Sequence, residues 1–346
     1  MLDGKRPEII KVLEAFEDYQ GTGFSKTLFL IAPAFPWLMR IPSSRMLLLK
    51  RMKYSLQGIA QKILMEATKD IEMSGSGGGR AEDKSMISLL IRAMNQDEGQ
   101  MFSEEEVLAQ MNTLFFAGYD TTSAALSWAL IELCRRPDVQ DRLRDEVTQV
   151  LQGGAPEWEH ITEKMPYLDA VTQEIHRIHP PVFELTRVAM KDDVVPFSAP
   201  VRTASGDVVS EMFVEKGTGL RIPIGFLNQS HELWGEDAGE FRPERWVEGR
   251  VAEHQQVFSF SDGPRICLGK PFAIAEIKVC RMFIAFGTLL LLKHTQSTLA
   301  QLVRRYRFEF PNGKDTRIGI HMRLLPRPKV EGEEGTNIPL RVYMVN

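Results

Sequence analysis

Apolar residues recur at three- and four-residue intervals along most of this sequence, and the interval shortens to two only past Pro181. Helices repeat a face about every 3.6 residues and strands every two, so the pattern predicts a mainly α chain (α+β) with small β-sheets. Residues 7–20 set Ile9, Val12, Leu13 and Phe16 on one helical face. A long basic amphipathic helix is expected over 44–73, then a flexible Gly/Ser linker over 74–79 and a short helix near 84–93. The longest helix starts at Ser103. Serine at the cap with Glu106 three positions on is a capping box, and Pro137 stops the helix after about Arg135. Residues 138–151 and 167–178 read as two more helices, the second ended by Pro180 and Pro181. Short strands are expected in V-V-P-F, V-V-S-E-M-F-V and L-R-I-P-I, and again in R-R-Y-R-F-E-F near the C terminus. The apolar stretch 27–43 is broken by Pro33, Pro36 and Pro42 and cannot be one helix. It reads as a buried loop–helix segment or as a lid whose Trp37 faces lipid or substrate.

Composition narrows the partners. A net charge of -4 gives no basic field for nucleic acid. Three cysteines, Cys134, Cys267 and Cys280, make no disulfide framework and suit a reducing compartment. The polar opening of the chain carries no signal peptide or anchor, and the longest apolar run, 282–292, is too short to span a bilayer.

Three stretches carry candidate chemistry. In F-S-F-S-D-G-P-R-I-C-L-G-K, a Gly-Pro-Arg turn precedes Cys267 and a helix start follows it. A lone cysteine is ordinarily a small buried apolar residue. Here loop N–H groups and the positive helix end can face the sulfur and favour a thiolate, either nucleophile or metal ligand. In A-G-Y-D-T-T, Gly118 costs a helix interior about 1 kcal/mol relative to alanine. Thr121 can bond the carbonyl of Ala117 four residues back, and Ala117, Gly118 and Thr121 leave one face low enough for a flat object. Asp120 and Thr121 put an acid and an alcohol beside it; by itself the stretch also reads as a helix-packing glycine with a satisfied threonine. Finally, Glu174 and Arg177 stand three apart on one helix and can pair, which if exposed adds only a few tenths of a kcal/mol.

Together these stretches resemble the cytochrome P450 family. Phe260-x-x-Gly263-x-Arg265-x-Cys267-x-Gly269, extended by Ala273 and Glu276, is similar to the haem-ligand loop. A-G-Y-D-T-T resembles the oxygen-activating helix, and E-I-H-R followed by H-P-P and by F-R-P-E-R-W resembles the Glu-x-x-Arg clamp. The resemblance implies a P450 fold, its C-terminal two-thirds, as a single domain over 1–346 with the anchor and first helices absent. It implies haem b held by Cys267 as axial iron ligand, with Arg187 and Arg265 on the propionates. Phe260, Gly263, Gly269, Ala117 and Gly118 would border the cofactor. Thr121 would hydrogen-bond the dioxygen being activated and Asp120 would link to the proton supply, while Glu174, Arg177 and Arg245 form a buried structural clamp. Val182, Phe183 and Leu185 would line the substrate side, and His176 and His179 read as packing or solvent residues rather than ligands.

The implied activity is monooxygenation of a small, hydrophobic organic substrate with O2 and electrons from an NADPH-cytochrome P450 reductase. The strands after the clamp most resemble fungal, membrane-type members, which implies the endoplasmic reticulum membrane. A haem-thiolate isomerase or dehydratase needs no external electrons, and the retention of Asp120 and Thr121 speaks against it. A non-catalytic product of a truncated gene is the reading from a different class. One departure stands out: residues 279–296 interrupt the helix after Cys267, and deleting them restores A-I-A-E-I-K-S-T-L-A-Q-L-V-R-R-Y with continuous apolar spacing. The stretch has the length of a small fungal intron, and its ends can be encoded GTATGT and CAG, so it is expected to be a retained intron, with a genuine hydrophobic helix extension as the rival reading.

Overall fold

The computed structural model describes residues 44–74, 86–94, 102–152, 158–249, 251, 256–279, 299–322, 325–333 and 337–345. The helix expected over 7–20, the stretch 27–43, most of the linker and the insert beyond Val279 lie outside the described residues. The chain is mainly α with small antiparallel sheets, and it divides into two units that are described in turn.

The first unit contains helix α1 (Ser44–Ser74), α2 (Met86–Met94) and the first part of α3 (Glu104–Arg135). In α1, Met52, Leu56, Ala60 and Leu64 recur every fourth residue and are all buried, the stripe an amphipathic helix needs. Ala60 and Leu64 join Ile91 of α2 and Val107, Leu108 and Met111 of α3 in one apolar cluster. The capping box forms as its sequence requires. Ser103 N–H donates to Glu106 Oε2 at 2.8 Å, and Glu106 N–H donates back to Ser103 Oγ at 3.3 Å. Strand β7 (Pro326–Val330), paired with β6 (Ile318–Met322), also belongs here.

The second unit takes the remainder of α3 from Ala124, then α4 (Pro137–Leu151), α5 (Trp158–Glu163) and α6 (Pro166–Ile178). Strands β1 (Leu185–Val188) and β4 (Gly219–Ile222) pair antiparallel, with Arg187 opposite Leu220, and enclose the hairpin of β2 (Asp193–Arg202) and β3 (Val208–Val214). Three one-turn helices follow, α7 (Ile224–Leu227), α8 (His231–Trp234) and α9 (Glu244–Val247). The chain then makes two 3-10 turns, Phe258–Phe260 and Gly263–Arg265, before α10 (Lys270–Val279), α11 (Leu299–Arg305) and strand β5 (Tyr306–Glu309), which pairs with β8 (Arg341–Met344).

Here the core is one cluster built from fourth-residue stripes: Ala125, Ala129 and Leu133 of α3, and Val139, Leu143, Val147 and Leu151 of α4. Leu168, Val171 and Ile175 of α6 complete it with Ile277, Leu299, Ala300 and Val303. The opposite side of α3 packs Trp128, Ile131 and Cys134 against Phe308 and Phe310. Among the described residues no helix is long and apolar enough to cross a membrane.

Candidate functional site

The loop around Cys267 is shaped by its own backbone. Phe258–Phe260 closes on Ser261, whose N–H donates to Phe258 O at 2.8 Å and whose φ of 61° lies in the left-handed region. Gly263, with φ 69°, opens the second turn at a conformation that favours glycine. The Cys267 N–H then returns to Phe260 O at 2.8 Å, and Lys270 N–H bonds Cys267 O at 3.2 Å. The N–H groups of Cys267, Ile266 and Lys270 therefore bond carbonyls rather than the sulfur. Those three donors close the tight turns.

The Cys267 thiol is unbridged and exposed. Ile266, Leu268 and Phe272 stand exposed around it, Leu268 at 88%. Gly269 sits close behind the sulfur, with Sγ 3.9 Å from where a Cβ would be. The cation end is supplied from β1, where Arg187 Nη2 donates to Ser261 Oγ at 3.4 Å, and from Arg265, exposed on the loop itself. Phe260 is held between the buried ring of His176, with centroids 4.8 Å apart, and Lys270 Nζ, 5.9 Å from its centroid.

Beneath the loop lies the clamp, and it is larger than three residues. Glu174 and Arg177 are wholly buried on α6, joined by Arg177 Nε to Oε2 at 2.9 Å and Nη2 to Oε1 at 2.8 Å. Arg245 of α9 donates Nε to Glu174 Oε1 at 2.9 Å, as the resemblance implies. Two further donors reach the same carboxylate, Arg242 N–H at 2.9 Å and Trp246 Nε1 at 2.8 Å. Asp237 adds a second carboxylate, 3.4 Å from Arg245 Nη1 and 3.1 Å from Arg242 Nη1. Burial pushes the Asp237 carboxyl up, but Arg245 and Arg242 together hold it below its ordinary range. Every hydrogen-bonding site on Glu174 is thus taken, which a buried carboxylate requires. Trp246 and Arg242 lie inside F-R-P-E-R-W and could have been read from it; Asp237 carries no local signal.

The remaining second-unit expectations resolve simply. His176 gives Nδ1 to the Thr172 carbonyl at 2.7 Å, and His179 pairs with Glu132 at 2.9 Å while stacked on Trp128. Both act in packing. Phe183 is half-buried with its ring against α7, where a Cβ on Gly225 would meet it at 2.6 Å, and Val182 and Leu185 are also half-buried.

Ala117, Gly118, Asp120 and Thr121 lie on α3 in the first unit, and their geometry is described by itself. Thr121 Oγ donates to Ala117 O at 2.7 Å, the bond its spacing predicts. A Cβ on Gly118 would meet nothing within 4 Å. Asp120 is buried, and its Oδ1 is bonded by Nη2 of Arg327 on β7. Arg327 Nη1 also donates to Ser123 Oγ at 3.2 Å, which sets the guanidinium across one turn of α3. No sequence pattern points to Arg327.

Residues 2–286 match the family model for Cytochrome P450. Cytochrome P450 monooxygenase claQ of Ampulloclitocybe clavipes is 42% identical over 352 residues, covering 99% of this chain and 62% of the relative. Cytochrome P450 monooxygenase 128 of Postia placenta is 34% identical over 359 residues, covering 98% of this chain and 61% of the relative. The Ganoderic acid synthetase CYP5150L8 of Ganoderma lucidum is 36% identical over 270 residues, covering 70% of this chain and 48% of the relative. The chain thus spans about three fifths of the length of the first two of these curated relatives.

Proposed function

The chain belongs to the cytochrome P450 family, and from the setting of Cys267 we infer that it is a haem-thiolate monooxygenase. The carrying observation is the free, exposed Cys267 thiol on a loop anchored to a fully satisfied buried clamp. The residues present fit haem b. A soft sulfur donor suits iron, exposed apolar neighbours suit a macrocycle, and Arg187 and Arg265 suit two carboxylates. When bound, the haem supplies dioxygen activation, with thiolate donation favouring O–O cleavage.

The chain's own residues hold and supply. Cys267 Sγ would hold the iron, and the glycines Gly263 and Gly269 shape the loop that presents it. Asp120 and Thr121 are the acid and alcohol of the proton path, with Arg327 keeping the carboxylate in place between transfers. Gly118 keeps that turn of α3 low for the cofactor. The organic substrate is hydrophobic and small, O2 is the co-substrate, and an NADPH-cytochrome P450 reductase supplies electrons at the endoplasmic reticulum membrane.

A reduced, CO-difference spectrum of haem-loaded chain tests the ligand assignment. The thiolate band should be present in the native sequence and absent in Cys267→Ala; a band that survives the substitution overturns it. Incorporation of labelled dioxygen that depends on NADPH and reductase separates monooxygenation from an electron-independent isomerase or dehydratase.

We also propose that residues 279–296 are a retained intron. The family match ends at residue 286, inside that stretch. Joining Lys278 directly to Ser297 places buried Ile277, Leu299 and Val303 at successive fourth positions of one helix, and all three already share one core cluster. Spliced transcript that still encodes Cys280 sinks the proposal.

A further inference from the structure

Asn228 is fully buried at the end of α7, its own N–H bonded to Ile224 O at 2.9 Å. Its side chain uses both ends of the amide. Oδ1 accepts the Phe258 N–H at 3.0 Å, and Nδ2 donates to Ser259 Oγ at 2.9 Å. Its backbone oxygen accepts from Arg177 Nη1 at 2.8 Å. Ser259 Oγ in turn donates to the carbonyl of His176, the residue before Arg177. One residue therefore touches the clamp helix, through its backbone oxygen to Arg177 and through Nδ2 to the His176 carbonyl at 3.5 Å, and also the Phe258–Phe260 turn, whose last carbonyl accepts the Cys267 N–H.

We propose that Asn228 is a positioning residue for Cys267, coupling the buried charge set on α6 and α9 to the backbone that aims the thiol. Its purpose rests on the haem-thiolate reading; the coupling itself rests on the hydrogen bonds. Asparagine fits this place by its chemistry. The site asks for an acceptor on one branch and a donor on the other. Aspartate lacks the donor, leucine has the shape without either, and glutamine sets its amide one carbon too far. The ring of His176 against Phe260 supports the same turn from another side, so the turn is held at Phe258, Ser259 and Phe260 together.

Hydrogen exchange read at single amides of the full chain tests the coupling without any cofactor. In Asn228→Leu the Phe258 and Cys267 amides should exchange about tenfold faster or more, while Ile175 and Arg177 within α6 keep native protection. A purely structural role loosens helix and loop alike, so equal acceleration in both overturns the proposal, as does an unchanged Cys267 amide. Should that variant not fold, Ser259→Ala removes the hydroxyl between Asn228 and His176 and should accelerate the same two amides by a smaller factor. In haem-loaded protein, Asn228→Leu should shift the CO-difference band from the thiolate form toward the thiol form. If the native chain itself shows no thiolate band, the haem-thiolate reading fails, and the exchange result still decides the role of Asn228.

Discussion

Burial decides the protonation of His176. Loss of hydration, helped by the nearby charge of Lys270 and opposed by the bond to the Thr172 carbonyl, pushes its pKa down to about 4. An unfolded histidine titrates near 6.5, so on acidification the unfolded chain takes up the proton first. The contribution of the neutral ring is complete above about pH 6.5 and is lost as pH falls toward 4, amounting to roughly 3 kcal/mol. Urea unfolding at a series of pH values should show that slope in the native chain and a flatter one in His176→Gln; equal slopes count against the account. The clamp makes a second residue-scale prediction. Arg245→Met leaves Glu174 and Asp237 short of their shared cation and should cost roughly 3–5 kcal/mol, read as a lowered urea midpoint. A loss within a few tenths would mean that water reaches the two carboxylates. Thr121 was legible because its partner is four residues away, one helical turn. Asn228 and Arg327 were not, since their bonds join positions separated by dozens of residues or more, and Asp237, five and eight residues before Arg242 and Arg245, lies in a turn that follows no period.

Elements were legible wherever burial imposes a period. The capping box fixed the start of α3 and Pro137 its end, and α4 and α6 followed from their fourth-residue apolar stripes. The one-turn helices α7 to α9 lie where the chain is tied by side-chain hydrogen bonds instead, and a single turn shows no repeat. Within α3, Gly118 opposes the helix that contains it. Since an added methyl meets nothing within 4 Å, Gly118→Ala should raise unfolding stability by up to about 1 kcal/mol through better helix propensity. The same methyl should weaken haem uptake, measured by titration of the Soret band. A stabilised variant with undiminished uptake would show that this turn of α3 lies away from the cofactor.

At the scale of the molecule, ligand and fold are linked. A cofactor that binds only the folded chain adds about 2.7 kcal/mol when present at a hundred times its dissociation constant. Added haem should therefore raise the thermal midpoint of the native chain, and Cys267→Ala should lose most of that rise. An equal rise in both would assign haem to a site independent of the cysteine loop. The buried set beneath that loop has a consequence of its own. Three guanidinium groups, Arg177, Arg245 and Arg242, stand against three carboxylates, Glu174, Asp237 and Glu248, and their charges sum to zero. Such a set casts little field beyond its own hydrogen bonds, and dissolved ions find nothing there to screen. What it does for Cys267 it does by shape alone, so the loop should keep its form from dilute buffer to molar salt.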